Sequence, residues 1–363
     1  MSKPDSSNRL RLQPDEVELI KQYRAQPLDN INNNTALDIH LKERGIDKKD
    51  VVSVKHWQNM GGELRFSVVT KETKESRDAF NGLEKYIETY APTYPTIKRK
   101  PNGKYLLIIN PADVHIGKYS SGLETGEEYN VQIAVIRVLE GVQGLIDKSQ
   151  GFNIDRVLLC LGNDILHVDN VHNTTTKGTH QDTDGGKWWE FYDVALELYV
   201  KVIETLRHIA PVDCIHSMSN HDYQSGHYLA KTLKAWFRNA NDVKVDAGAS
   251  HRKYYKYGNS LIGLEHGDGA KTDNLPLLMA NDRPQLWAST VYRYWYLHHL
   301  HHKIKIKYRD TKDFIGCTVE YLRSPSGADS WHSRKGYTGT KKAVEGFIHD
   351  KKLGQIARLT HYF

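Results

Sequence analysis

Five short blocks carry residue types that bind metal ions through oxygen and nitrogen: Asp113-Val114-His115, Gly162-Asn163-Asp164, Ser219-Asn220-His221-Asp222, Glu265-His266-Gly267 and His298-His299-Leu300-His301-His302. Carboxylate, imidazole and amide donors without thiolate suit borderline divalent ions such as Mn²⁺, Fe²⁺ or Zn²⁺. The three cysteines, Cys160, Cys214 and Cys317, lie far apart and form neither a thiolate site nor a disulfide framework. An Asp-x-His pair leaving a strand aims both side chains to one side, because alternate residues of an extended chain share a face. His299 and His301 have the same spacing. The candidate ligands are Asp113, His115, Asp164, Asn220, His266, His299 and His301. They are more than one catalytic ion can use while keeping a position open. They suit two divalent ions that share a carboxylate and a hydroxide, with Mn²⁺ the preferred metal.

Each block follows an apolar run that reads as a buried strand: 104–110, 156–161, 212–217, 261–264 and 294–297. Periodic apolar residues predict helices over 127–148, 188–208 and 227–237. Further strands are expected at 243–247, 252–257, 259–264, 293–297, 303–309 and 315–322. Helices alternating with buried strands indicate a layered α/β domain, and the C-terminal edge of such a sheet is where ligands bind. Residues 1–95 read as an accessory domain. It has helices over 15–25, 36–44 and 77–90 and a hairpin through Gly61-Gly62, a pattern compatible with a winged helix-turn-helix. Residues 96–103 read as a linker and 104–363 as the catalytic domain.

The 363 residues are 39% apolar and 26% charged, which excludes a disordered chain. No run approaches the roughly 18 apolar residues of a membrane span. The first residues, MSKPDSSNRLRLQPDE, lack the apolar core of a secretory signal. A reducing, cytoplasmic setting and no membrane partner are therefore expected. The net charge of +6 favours a polyanionic partner. Lys303, Lys305, Lys307 and Arg309 alternate, so a strand there presents one basic face to the phosphates of DNA.

In order, the five blocks resemble those of the calcineurin-like metallophosphoesterases: D-x-H, G-D, G-N-H-[DE], H-G and G-H-x-H. The resemblance spans about residues 104–322, some 60% of the chain. Asp113-Val-His115-Ile-Gly117-Lys118 and Gly162-Asn-Asp164-Ile-Leu-His167 are most similar to the double-strand-break repair exonucleases of that family. The loop HVDNVHNTTTKGTHQDTDG resembles bacteriophage-encoded members, whose setting would be the host cytoplasm.

The resemblance implies a four-layer α/β/β/α metallophosphoesterase sandwich with a small N-terminal α+β accessory domain. It implies one ion on Asp113, His115, Asp164 and His301, and a second on Asp164, Asn220, His266 and His299. His221 would face the scissile phosphate and protonate the leaving oxygen, with Asp222 orienting it and His167 assisting on the nucleic-acid side. Ser219 and His298 stand where the family has glycine. The preferred reading is a DNA exonuclease in DNA repair. One alternative is a small-molecule or nucleotide phosphodiesterase or phosphatase with the same metal site. The other is a DNA-binding protein whose site is vestigial. A homodimer fits this reading, as does an ATPase partner on a separate chain, since no P-loop is present.

Overall fold

The computed structural model describes residues 34–58, 64–70, 92–99, 103–299, 311–334 and 341–363. The chain divides into two units, Met1–Thr89 and Tyr90–Phe363. In the first, helix α1 (Asn34–Glu43) buries Leu37 and Leu41. It ends at Gly45, whose φ of 65° suits glycine, and Ile46 N donates back to Leu41 O. Strands β1 (Val51–Gln58) and β2 (Leu64–Thr70) pair antiparallel, with Trp57 opposite Arg65. The turn expected at Gly61-Gly62 lies outside the described residues, as do the helices expected at 15–25 and 77–90.

The second unit holds two sheets, so the described residues form mixed α/β structure with three sheets in all. One sheet has six strands in the order β13-β12-β3-β4-β5-β6. These are β3 (Tyr105–Asn110), β4 (Ile154–Gly162), β5 (Val212–Ser217), β6 (Val243–Asp246), β12 (Ala343–Asp350) and β13 (Gly354–Tyr362). β3 to β6 run parallel, while β12 is antiparallel to both β3 and β13. Parallel neighbours need crossovers. α2 (Val131–Lys148), α3 (Trp188–Arg207) and α4 (Tyr223–Trp236) lie in them.

The other sheet has the order β10-β11-β9-β8-β7. It is built from β7 (Lys253–Tyr257), β8 (Ser260–Leu264), β9 (Tyr292–Leu297), β10 (Thr311–Phe314) and β11 (Cys317–Tyr321), with α5 (Leu275–Asp282) and α6 (Pro284–Ala288) between β8 and β9.

Alternation along the strands sorts the apolar residues into three clusters. Leu107, Ile109, Val157, Leu159 and Cys214 pack with Val138, Leu145, Leu198, Val202 and Leu229 of the helices. The opposite face of the same strands, with Leu106, Ile108, Leu158, Cys160 and Ile215, packs with Ile262, Leu264 and Tyr296 of the second sheet. That sheet's far face, with Leu261, Trp295 and Val319, packs with Leu275 and Met279. Among the described residues no helix is long and apolar enough to cross a membrane.

Several boundaries differ from the sequence reading. α2 starts at Val131, because Asn130 caps it by accepting from Ile133 N (2.9 Å) while Tyr129 pairs with Ser120. α4 starts at Tyr223, because the Asp169 carboxylate accepts from Gln224 N (3.1 Å) and Ser225 N (2.7 Å). The strand expected at 315–322 is a hairpin, β10–β11, turning at Ile315-Gly316. β12 and β13 were not foreseen. Residues 92–99, which run into the expected linker, are held on the second unit. Tyr94 stacks on Phe237 (5.2 Å) and Arg99 pairs with Asp242 (2.5 Å). The basic strand expected at 303–309, with Lys303, Lys305, Lys307 and Arg309, lies outside the described residues.

Candidate metal centre

The candidate ligands follow the C-terminal ends of β3, β4, β5, β8 and β9. The backbone there is unusual. Asp113 and His115 (both φ 52°), Asn163 (57°), Asp164 (60°) and His299 (67°) all have positive φ; among the described non-glycine residues the other is Asn173. Such conformations cost about 1–3 kcal/mol each and persist only where the surroundings impose them. Here the two loops hydrogen-bond to each other: Asp113 N donates to Asn163 O (2.7 Å), His115 N to Asp164 O (3.0 Å) and Ile116 N to Ile165 O (2.7 Å). Asp113 and His115 thus converge through paired left-handed turns. The alternation of an extended strand, expected from sequence, is not what aims them.

The side chains meet in a buried cluster. Asp164 Oδ1 accepts from His221 N (2.9 Å), and its Oδ2 lies 3.1 Å from His266 Nε2. His266 Nε2 is also 2.8 Å from Asn220 Oδ1 and 3.1 Å from His299 Nδ1. Asp113 Oδ2 accepts from His299 N (3.1 Å). The ligand atoms of Asp113, His115 and Asp164 lie within 4.8 Å of one another, and so do those of Asp164, His266 and His299. Asp164 is common to these two; His115, His167 and His221 form a third group, without Asp164, that shares His115 with the first. One His266 nitrogen therefore faces an amide oxygen, a carboxylate oxygen and an imidazole nitrogen, and carries at most one proton to share among them. Lone pairs converging in this way are what a cation satisfies, so the donor set fits divalent metal. His301 lies outside the described residues.

Electrostatics within the cluster make the same point. Burial pushes the Asp113 carboxyl up to about 7; His266 opposes this and Asp164 adds to it. Burial also works against charge on Asp164, but His266 and His221 overcome it and hold that carboxyl far below the usual carboxylate range. His266 would be lowered by burial, yet Asp164 raises it to about 9. His299 is held below the ordinary histidine value by burial and by His266. His266 and His221 are thus the groups that offset the charge of Asp164.

The residues expected around the phosphate are partly rearranged. His221 Nδ1 donates to the His167 carbonyl oxygen (2.9 Å), so His167 orients His221 through its backbone. The His167 ring is buried, its Nδ1 is 3.3 Å from His115 Nδ1, and it stacks on His221 at 5.3 Å. Asp222, expected to orient His221, accepts instead from Ser219 Oγ (2.5 Å) and Leu166 N (3.0 Å). It is buried and ties the loops after β4 and β5 together.

Sequence reasoning missed Ser219 as a contributor, although its place in a glycine position was visible. Its Oγ accepts from Asp164 N (2.9 Å) while donating to Asp222. It also missed Ser324, whose Oγ donates to Asp113 O (2.8 Å), and gave no role to Lys118 of the first block, whose buried Nζ donates to Gly327 O (2.8 Å) and pairs with Asp329 (3.1 Å). These contacts join the loop after β11 to the site. No local signal marks Ser324.

No family model and no curated protein matches the chain. Among solved structures 21 chains match. One is a double mutant of Vps29 from Entamoeba histolytica, at 15% identity and a TM-score of 0.26, covering 71% of this chain and 99% of that one.

Proposed function

We propose that the chain is a phosphoric ester hydrolase dependent on two divalent metal ions, and that it is a DNA nuclease of the exonuclease type. The observation that carries this reading is the convergence of Asp113, His115, Asp164, His266 and His299, with Asp164 common to both ligand groups. Asp113, His115, Asp164 and His301 would hold one ion, and Asp164, Asn220, His266 and His299 the other. Such a pair of ions supplies positive charge to a phosphate and lowers the pKa of a bound water to near neutrality. The chain's own residues do the rest. His221, tied at Nδ1 to the His167 carbonyl, would present Nε2 to the leaving oxygen as general acid. Asp222 and Ser219 keep the loops after β4 and β5 in register, so that the Asp164 carboxylate and His221 stay together.

The three apolar clusters support a four-layer α/β/β/α body for residues 104–363. The first unit, Met1–Thr89, is read as the DNA-contacting accessory domain in place of the expected 1–95. The alternating Lys303, Lys305, Lys307 and Arg309 favour DNA as substrate on sequence alone, as one basic face per strand suits a phosphate backbone. The purified chain with Mn²⁺ is expected to hydrolyse bis(p-nitrophenyl) phosphate and to degrade linear DNA while sparing closed circles. Degradation of circles would make it an endonuclease. Loss of DNA degradation with the small diester still hydrolysed would make it a small-molecule enzyme. No metal-dependent hydrolysis of either substrate would end the proposal.

A further inference from the structure

The polar loop after β4 closes in a tight hairpin beside the metal centre. Thr174 and His180 pair across it, Thr175 N donates to Thr179 O (2.8 Å), and Gly178 N donates to Thr175 O (2.9 Å). Gly178 has φ 86°, the left-handed residue that ends a three-residue hairpin turn. Thr176, Lys177 and Gly178 form the exposed tip.

The tip is clamped to the loop that carries the site. Thr176 N donates to Asn220 O (3.3 Å), and Thr176 Oγ1 donates to Asp169 Oδ2 (2.8 Å) and accepts from Tyr223 N (3.3 Å). Asp169 in turn accepts from the backbone of Gln224 and Ser225 and from Ser225 Oγ. Thr176 is therefore fixed to the segment bearing Asn220, whose Oδ1 is 2.8 Å from His266, and His221.

Two exposed side chains flank this junction. Lys177 follows Thr176 and is exposed. Tyr223 opens α4 two residues after His221, is 38% exposed, and has its ring 5.5 Å from that of His251. Adjacent Cα atoms are about 3.8 Å apart. Lys177 and Tyr223 are therefore neighbours at the backbone of the loop that carries Asn220 and His221, Lys177 next to Thr176 and Tyr223 bonded to it through its N–H. A cation-bearing and an aromatic residue side by side at this junction supply what a nucleic-acid strand needs, one for a phosphate and one for a base.

We propose that Lys177 and Tyr223 form a subsite for the nucleotide next to the scissile phosphate of single-stranded DNA. Lys177 neutralises the neighbouring phosphate and Tyr223 stacks the base. The proposal rests on the phosphodiesterase reading and adds to it the means by which a strand is selected over a small diester. Neither residue belongs to the metal-binding set.

The test compares the full chain with Lys177→Gln, Lys177→Arg, Tyr223→Ala and Tyr223→Trp. Anisotropy of a fluorescent single-stranded oligonucleotide is followed over a salt series in EDTA. The ratio of kcat/KM on that oligonucleotide to kcat/KM on bis(p-nitrophenyl) phosphate is measured with Mn²⁺. Lys177→Gln is expected to lower the magnitude of the salt slope of binding by about 0.7, with Lys177→Arg restoring it. Tyr223→Ala is expected to weaken binding roughly tenfold at unchanged slope, with Tyr223→Trp restoring it. Both loss variants should lower the kcat/KM ratio. If the slope, the affinity and the ratio all stay unchanged in a chain that cleaves DNA, the subsite is overturned and the phosphodiesterase reading stands. A chain that hydrolyses the small diester but neither binds nor cleaves DNA overturns the subsite and the DNA assignment together. If neither substrate is hydrolysed, the functional reading fails, and the anisotropy series, which needs no turnover, still decides the subsite.

Discussion

The parallel strands β4 and β5 treat carboxylates in opposite ways at their two ends. At the N-terminal end Asp155 and Asp213 are only part-buried, and each has a cation and a tyrosine. Lys351 is 2.8 Å and Tyr257 3.3 Å from Asp155; Arg156 is 3.1 Å and Tyr255 2.6 Å from Asp213. At the C-terminal end, where β3 joins them, Asp113 and Asp164 are fully buried, and the group that faces the Asp164 carboxylate at 3.1 Å is the imidazole of His266. Lysine and arginine stay charged across the physiological range, so the first arrangement is a permanent neutralisation. Histidine can give up its proton, so the second can exchange that proton for a metal ion. One end of the sheet is built for stability and the other for exchange.

The sharpest way to break this comparison is to remove Asp164. Asp164→Ala should lose most bound metal, measured by elemental analysis, and turnover should fall on the order of a thousandfold or more. His221→Ala should keep its metal and lose turnover by about 10²–10⁴, the range of general acid–base catalysis. Asp164→Ala remaining loaded while His221→Ala came out metal-free would invert the assigned roles.

The pH dependence sharpens the same contrast. His266 is raised to about 9 from an ordinary 6.5. The stability it contributes is therefore fully present below about 6.5 and is lost as pH rises through 9. Asp113, raised to about 7 from 3.8, acts with the same sign but between those two values, so above pH 7 the loss is that of His266. The metal-free protein should therefore lose melting temperature from pH 6.5 to 9. Binding of Mn²⁺, followed by calorimetry, should tighten over that interval. A flat melting profile would mean that His266 carries no proton in the fold.

The smallest effects belong to the other end. Asp213→Ala should cost about 1–2 kcal/mol in denaturant unfolding, from the lost Arg156 and Tyr255 contacts, with metal content unchanged. Lys351→Ala, at a largely exposed pair, should cost less than about 0.5 kcal/mol. Loss of metal in either variant would mean that the two ends are coupled.

The donor blocks were legible because their signals are local. An apolar run such as Leu106-Leu107-Ile108-Ile109 marks a buried strand, and the polar residues that follow it mark an edge where ligands collect. β12 was illegible for the opposite reason. Glu345, His349 and Asp350 interrupt its apolar pattern, yet every residue from Ala343 to Asp350 is buried. Two of them are answered by partners elsewhere in the fold, Arg358 for Glu345 (2.9 Å) and Tyr296 for His349 (2.7 Å), and Asp350 by the turn that follows it, where it accepts from Lys352 N (2.7 Å). A strand whose polar groups are answered from elsewhere in the fold has no period of its own to read.

Sequence by itself thus determined which side chains follow which buried strands, and hence the donor set, its oxygen and nitrogen character, and the α/β class. Tertiary structure decided the rest. The positive φ angles of Asp113, His115, Asn163, Asp164 and His299 have no glycine to announce them; for Asp113 and His115 they accompany hydrogen bonds to the loop after β4. Tertiary structure also turned Asp222 toward Ser219 and Leu166, gave His221 to the His167 carbonyl, and slotted β12 between β13 and β3. The physical reason is range. Periodicity and residue type act over a few neighbours, whereas the contacts of Asp113 and His115 with the loop after β4, of Asp222 with Leu166 and of His221 with His167 join segments about fifty residues apart, and those partners exist only once the sheets have formed.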